Sequence, residues 1–315
     1  MHLYLELSKA RLTSLVVLTT AAGYVMAGDA PGPGFFRTVF GSGFFWTVLG
    51  TALSAGGANA LNQWIEQRRD ALMERTRERP LPSGRLTSRH GLLAGMAMAA
   101  AGVATLAIAV NLLTAALGAF VVLLYTLVYT PMKHRSPFCT LVGAICGAVP
   151  PMMGWTGAEG RIGYGAWILA AILFLWQIPH FLALAWLYRQ DYARGGYRML
   201  PSIDPSGRTT GALAIAYTVA LLPLGFFALW AGLAGWWFLG ASLVLGAGFL
   251  VLGWKMRAER TDRSARLLFL ASLIYLPLTL GLMVVDRGPI GPVRDYQSAV
   301  AGPASSSLDR APASD

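Results

Sequence analysis

Asn62, Glu66 and Asp70 stand at i, i+4 and i+8 in the run NQWIEQRRDALMERTRERPLPSG, residues 62–84. On a helix each step of four residues turns the side-chain direction by only about 40°, so the three oxygen-bearing groups share one face. Neighbouring Cβ atoms on such a face lie roughly 5–6 Å apart. Oxygen ligands at that spacing suit a hard cation such as Mg2+. Arg75, Arg77 and Arg79 follow in the same run, and clustered guanidiniums suit phosphate oxygens. Pro80 and Pro82 end any helix there. The chemistry implied is a diphosphate held with Mg2+ at a membrane surface. The blander alternative is a solvated helix end, with Glu74 and Glu78 paired to nearby arginines. Ionisable groups at the end of an apolar helix are costly and tend to be functional, which favours the chemical reading for Asn62, Glu66 and Asp70.

Three further constellations could share that work. Asp191, in LYRQDYARGGYRMLP, follows the sixth apolar span as Asp70 follows the second. That repetition suggests two similar halves meeting at a central cavity, because one metal can bridge carboxylates and a diphosphate. Its alternative is an interfacial aspartate paired with Arg189 or Arg194. Lys133, His134 and Arg135, in YTPMKHRSP, form an ordinary basic loop taken alone. Beside two acidic sites on one membrane face they read as a diphosphate clamp. His180, in WQIPHFLALAW, is an imidazole inside a span. It is either a hydrogen-bonded packing residue, a heme iron ligand or a group near the acceptor of the transferred chain.

The elements that must position these groups are helices in a bilayer. The chain has 315 residues, is 55% hydrophobic and carries only 13% charged residues; soluble domains hold about 25%. Nine apolar stretches approach the roughly 20 residues that cross a bilayer: Leu12–Ala27, Phe36–Leu61, Gly91–Val110, Leu112–Tyr129, Thr140–Trp155, Gly165–Leu187, Gly211–Ala231, Trp236–Trp254 and Leu267–Val285. An open sheet edge cannot be satisfied in lipid, so the expectation is an all-α polytopic bundle of nine transmembrane helices. With the N-terminus inside, every Lys and Arg except Arg37, Arg161, Arg287, Arg294 and Arg310 falls on the inner side. The positive-inside rule therefore predicts N-in, C-out, with every informative polar loop in the cytoplasm. It also accounts for the net charge of +10 without any nucleic acid partner. The N-terminus reads neither as a cleaved signal nor as a mitochondrial leader. Residues 1–285 are expected to form one intramembrane domain. The Pro-, Ala-, Ser- and Gly-rich residues 286–315 are expected to be a disordered tail.

Small residues mark close helix approaches. Gly143 with Gly147, and Ala55 to Ala58, read as packing surfaces. Pro150 and Pro151 are expected near the outer end of the fifth span, shaping its exit. Cys139 and Cys146, about 10 Å apart along one helix, are too far apart to bridge and read as packing residues.

The run from Asn62 resembles the NxxxDxxxD signature of the UbiA superfamily of intramembrane prenyltransferases. Its continuation DxxMxRTxxRPLPxG is similar to the heme-farnesylating branch, as are SKARLTSLVVLTTAAGY, MKHRSPFCTLVGAICGAVPPMMGW and WQIPHFLALAWLYRQDYARGGYRMLP. The resemblance runs from Ser8 to about Gly211. It implies a UbiA-type bundle that moves a farnesyl group from farnesyl diphosphate to a vinyl group of heme b, with water, giving heme O and pyrophosphate. Carried over, Asn62, Glu66, Asp70 and Asp191 would bind Mg2+ and the diphosphate. Lys9, Arg11, Arg75, Arg79, Lys133 and Arg135 would grip the diphosphate. His180 would lie on the heme side, and Tyr129 or Trp176 could face the allylic cation. It further implies a bacterial inner membrane setting, with lipid around the bundle and a heme A synthase or terminal oxidase assembly as a taker of product. Three positions depart from the pattern: Glu66 stands where Asp is usual, Gly195 where a second acid is common, and Arg198 where Pro is common.

Two other functions fit parts of the sequence. One is prenyl transfer to an aromatic quinone precursor. The other is heme transport without chemistry, but transporters keep polar sites near the midplane on broken helices, whereas here the acids lie at a membrane edge.

Overall fold

In hydrocarbon a peptide group has no water to bond, so each apolar stretch satisfies its own backbone as a helix. The computed structural model describes residues 2–28 and 41–287. The chain runs as α1 (His2–Leu7), α2 (Ala10–Ala27), α3 (Ser42–Asp70), α4 (Ser88–Ala109), α5 (Leu112–Met132), α6 (Cys139–Glu159), α7 (Tyr164–Leu187), α8 (Arg189–Arg194), α9 (Leu200–Ile203), α10 (Arg208–Leu221), α11 (Leu224–Trp230), α12 (Trp236–Glu259) and α13 (Asp262–Val285). No strand occurs among the described residues. The protein is an all-helical, multi-pass membrane bundle.

Each predicted span falls on a helix, α10 and α11 sharing one of them across Pro223. Among the described residues, eight helical stretches are long and apolar enough to cross a membrane. The remaining long helix, α3, has 29 residues, about 43 Å of rise. That is longer than a hydrocarbon core of about 30 Å, and its C-terminal turns carry Asn62, Glu66, Arg68, Arg69 and Asp70. Residues 36–40 of that predicted span lie outside the described residues.

The core sits on α6 and α7, whose most apolar windows are 72% and 61% buried against 22–39% for the other candidate spans. Small residues set their approach to neighbours. A Cβ at Gly57 of α3 would strike the backbone of Ala99 on α4. One at Gly143 would strike the Tyr129 ring, and one at Gly147 the Gln177 amide. Pro150 and Pro151 do not shape an exit. Both are buried within an α6 that continues to Glu159, and Gly23 of α2 lies against the Pro151 carbonyl. Close packing by a neighbouring helix lets a membrane helix carry proline without ending. Cys139 and Cys146 are free and buried.

Order extends past Val285. The Asp286 carboxylate accepts the Phe238 N–H at 2.5 Å, and the Arg287 guanidinium donates to the carbonyls of Gly28, at 2.8 Å, and Val25. The rest of the expected tail, 288–315, lies outside the described residues. At one end of the bundle three connections meet, at residues 71–87, 133–138 and 188–207. The Arg198 N–H donates to the Lys133 carbonyl at 2.8 Å, and Arg69 reaches the Gly195 carbonyl at 3.0 Å.

Candidate active site

The polar face of α3 is built as a ladder of acids and cations. Asn62, fully buried, donates from Nδ2 to Glu66 Oε2 and to Thr130 Oγ1, both at 2.9 Å, and its Oδ1 accepts from Lys9 Nζ at 2.5 Å. Lys133 Nζ straddles the Glu66 carboxylate, 2.8 Å from Oε1 and 3.0 Å from Oε2. One turn on, Asp70 Oδ2 accepts from Arg79 at 2.7 Å. Arg79 can return because the chain coils tightly after α3: Thr76 Oγ1 donates to the Asp70 carbonyl at 2.8 Å and the Arg77 N–H to Met73 at 2.9 Å.

These groups wall a cavity of about 730 Å³ at the bundle end. Of the residues expected in a site, Glu66, Asp70, Lys9, Arg11, Arg75, Arg79, Lys133 and Tyr129 line it. Asn62 sits behind that wall, orienting Glu66 and Lys9. Arg135 is exposed and outside the lining. The Asp191 carboxylate faces the 71–79 loop, accepting from the backbone N–H groups of Glu74 and Arg75 at 2.9 and 3.2 Å, and is likewise outside the lining. His180 and Trp176 do not reach it either. His180 Nδ1 lies 2.7 Å from Ser272 Oγ, Trp176 Nε1 donates to the Ser272 carbonyl at 2.9 Å, and Trp176 and Phe269 each stack on the imidazole with centroids 5.0 Å away. A helical register that points them at α13 turns them from the cavity, and they pack between α7 and α13.

The cavity also has residues that the motif reading passed over. Tyr125 stacks on Tyr129 at 5.1 Å, and Lys133 Nζ lies 4.7 Å from the centre of the Tyr129 ring. Their spacing, i, i+4 and i+8 in LYTLVYTPMK, repeats the logic of the α3 face and was a readable signal. What the spacing does not reveal is the π-turn at Leu124–Tyr129, a local widening of the helix often found at functional sites. Tyr192 and Tyr197 close another wall, while His2, Leu5 and Glu6 of α1 border the mouth. α1 is too short to declare itself in sequence. It is held by Gln63, which donates to the carbonyls of Glu6 and Leu7 at 2.8 Å, and by Arg85, 2.8 Å from Glu6.

Burial and the neighbouring Arg79 and Lys133 hold the Lys9 ammonium well below the usual amine range. Burial also pulls Lys133 down, but the Glu66 carboxylate outweighs it and the net direction is up. Burial, then Glu66 and Asp70, push the Tyr197 phenol up, so it stays protonated. The cavity thus holds a surplus of positive charge that a polyanion would relieve. The Glu66 and Asp70 carboxylates also fit Mg2+, which takes few protein carboxylates and fills its shell from phosphate and water. No group of three His, Cys, Asp or Glu capable of holding a metal alone occurs among the described residues.

The UbiA prenyltransferase family profile matches residues 16–274. A protoheme IX farnesyltransferase of Solibacter usitatus is 43% identical over 286 residues, covering 90% of this chain and 98% of that protein. A mitochondrial protoheme IX farnesyltransferase of Arabidopsis thaliana is 42% identical over 287 residues, covering 90% of this chain and 64% of its own. The structure of a UbiA homolog from Archaeoglobus fulgidus bound to DMAPP and Mg2+ superposes with a TM-score of 0.63 at 15% identity, covering 90% of this chain and 98% of that one. A helical membrane bundle, an acid-and-arginine cavity at one end and a family match across most of the chain lead to one conclusion: the chain belongs to the UbiA prenyltransferase family.

Proposed function

We propose that this chain transfers a farnesyl group from farnesyl diphosphate to a vinyl group of heme b, giving heme O and pyrophosphate. The observation that carries the acceptor is the 43% identity, over nearly the whole of both chains, to a relative named protoheme IX farnesyltransferase. The cavity supports the donor half: three carboxylates, five cations and a wall of tyrosines and methionines stand where a diphosphate meets an apolar chain.

Glu66 and Asp70, with Asn62 behind them, would hold Mg2+, which when bound supplies positive charge against the diphosphate oxygens. Lys9, Arg11, Arg75, Arg79 and Lys133 grip the same oxygens, and their hold tightens as the C1–O bond breaks and charge gathers on the leaving group. Tyr125 and Tyr129 offer π faces to the allylic cation left behind. The vinyl carbon attacks that cation, forming the new C–C bond. Water then adds to the resulting carbocation and loses a proton, leaving the hydroxyl of the product. The bundle keeps bulk water from the cation until the vinyl group reacts.

The setting proposed is N-in, C-out in a bacterial inner membrane, one domain over residues 1–285, with the cavity facing the cytoplasm. The basic residues of the three connections at that end support this orientation. A heme A synthase or an oxidase assembly is the proposed consumer of the product. The test is purified protein given heme b, farnesyl diphosphate and Mg2+, read by pyrophosphate release and product mass. A porphyrin heavier by one farnesyl and one hydroxyl is expected. Prenylation of an aromatic acid with no heme product would overturn the assignment in favour of a quinone-type enzyme.

A further inference from the structure

Two sequence motifs meet at the cavity end, and the second does not behave as a mirror of the first. Asp191 is 9% exposed, yet both of its carboxylate oxygens are engaged by backbone: Oδ1 accepts the Glu74 N–H at 2.9 Å and Oδ2 the Arg75 N–H at 3.2 Å. The carboxylate borders a separate recess of about 320 Å³, shared with Glu74, Arg75, Tyr188 and Arg194. Glu66 and Asp70 border the main cavity instead. Arg194 completes the junction, 3.6 Å from Asp191 and 3.5 Å from Glu74.

The turn after Asp191 holds the other end of the loop. Arg69, in the last turn of α3, donates to the carbonyls of Gly195 and Gly196 at 3.0 and 3.4 Å. Gly196 has φ +69°, a conformation glycine adopts freely. Gly195, just before it, is buried. A Cβ there would sit 3.0 Å from Met73 Sδ, so a longer side chain would press on the loop. The Arg75 guanidinium is laid over Tyr188 and Tyr192, 5.0 and 5.8 Å from their ring centres.

We infer that the second motif is a clamp on the first: Asp191, with the Gly195–Gly196 turn, fixes the Met73–Arg79 loop so that Arg75 and Arg79 face the cavity. Asp191 is then a positioning residue and not a ligand of the metal: both of its oxygens hold loop N–H groups, and its carboxylate borders the recess, outside the lining that carries Glu66 and Asp70. A carboxylate accepting two backbone N–H groups makes charge-assisted bonds, among the stronger ones a protein forms. The inference rests on the prenyl-transfer reading for what the loop serves, and on geometry alone for the clamp.

The test uses the full chain in detergent micelles, with Asp191→Asn, Asp191→Ala, Arg69→Gln and, for comparison, Asp70→Asn. Trypsin cleavage after Arg75 and Arg77, followed by mass spectrometry, reads the loop directly. Asp191→Ala and Arg69→Gln should speed that cleavage about tenfold, each having lost bonds made to a charged group. Asp191→Asn, which keeps one acceptor, should fall between. In pyrophosphate-release assays Asp191→Asn should raise the KM for the prenyl diphosphate about tenfold and leave the half-saturating Mg2+ concentration as in the unsubstituted protein. Asp70→Asn should raise that Mg2+ concentration. Unchanged cleavage together with a raised Mg2+ requirement in Asp191→Asn would overturn the clamp. If Asp191→Ala does not fold, Arg69→Gln and Asp191→Asn still decide. An unsubstituted protein without turnover would sink the functional reading alone, and the protease result would still judge the clamp.

Discussion

Glu66 reaches one methylene further than an aspartate would, and the length has a use: the carboxylate meets Lys133 and the Asn62 amide together. At 5% and 13% side-chain exposure this pair is buried. Breaking a buried pair by removing one charge costs about 3–5 kcal/mol, because the other is left uncompensated. Glu66→Gln and Lys133→Met should therefore each lower the thermal unfolding midpoint in detergent, while the double substitution should recover most of the loss and still show no turnover. A double variant no more stable than the singles would refute that coupling. Asp70 is a different case, 1% exposed and tied to a more exposed arginine. Asp70→Ala should lower kcat by about 10²–10³, the usual cost of losing a group that stabilises developing charge, with heme b binding largely kept by absorption titration. Unchanged pyrophosphate release would reject its place at the metal.

A helix places such residues only if its own position is set. α3 is fixed by small residues, since a Cβ at Gly57 would collide with backbone atoms of Ala99 that cannot move aside. Gly57→Val should cost about 1–3 kcal/mol by overpacking, read as lower yield and a lower unfolding midpoint, with activity per folded molecule also falling as α3 shifts. At the start of α10 the cap is remote. Asp204 accepts the N–H and O–H of Thr210 at 2.8 and 2.9 Å and the Ser206 O–H at 2.8 Å. Burial raises its pKa, but these bonds outweigh it and the carboxyl lies below its ordinary range. A depressed folded-state pKa gives stability that is present above the unfolded value and lost as pH falls through the folded one. Asp204→Ala should thus cost about 0.5–2 kcal/mol at neutral pH, a difference that closes as pH drops below about 4. Thermal melts at pH 7 and pH 3 check it, and an equal gap at both would contradict the assignment.

For the whole molecule the decisive asymmetry is charge. The polar connections that meet around the cavity hold arginines in number, while the described connections at the opposite end, 110–111, 160–163 and 231–235, hold one, Arg161. The proposed orientation follows from this asymmetry by the positive-inside rule. Single cysteines placed by Arg77→Cys and Arg161→Cys, in a background lacking Cys139 and Cys146, should react with an impermeant maleimide from opposite sides: Arg77→Cys only after the membrane is opened, Arg161→Cys in intact cells. The reverse pattern would invert the topology.

The spans and the α3 face were legible in sequence because both are local facts. A run of about 20 apolar residues has one outcome in lipid, and residues four apart share a helix face wherever the helix lies. Asn62, Glu66 and Asp70 thus declared their common face, and Lys133 and Arg79 their charge. Direction across the bundle was not local. Nothing local in the sequence showed that the 71–79 loop folds back to donate two N–H groups to Asp191. His180 and Trp176 lay on a span rotated towards α13, and one Ser272 engaged them both. The π-turn that stacks Tyr125 on Tyr129 left no composition to read. By itself the sequence determined which chemistry stood at the end of which helix. Only the tertiary structure decided which groups face the cavity, because rotation about a helix axis and the path of a loop are settled by what packs against them.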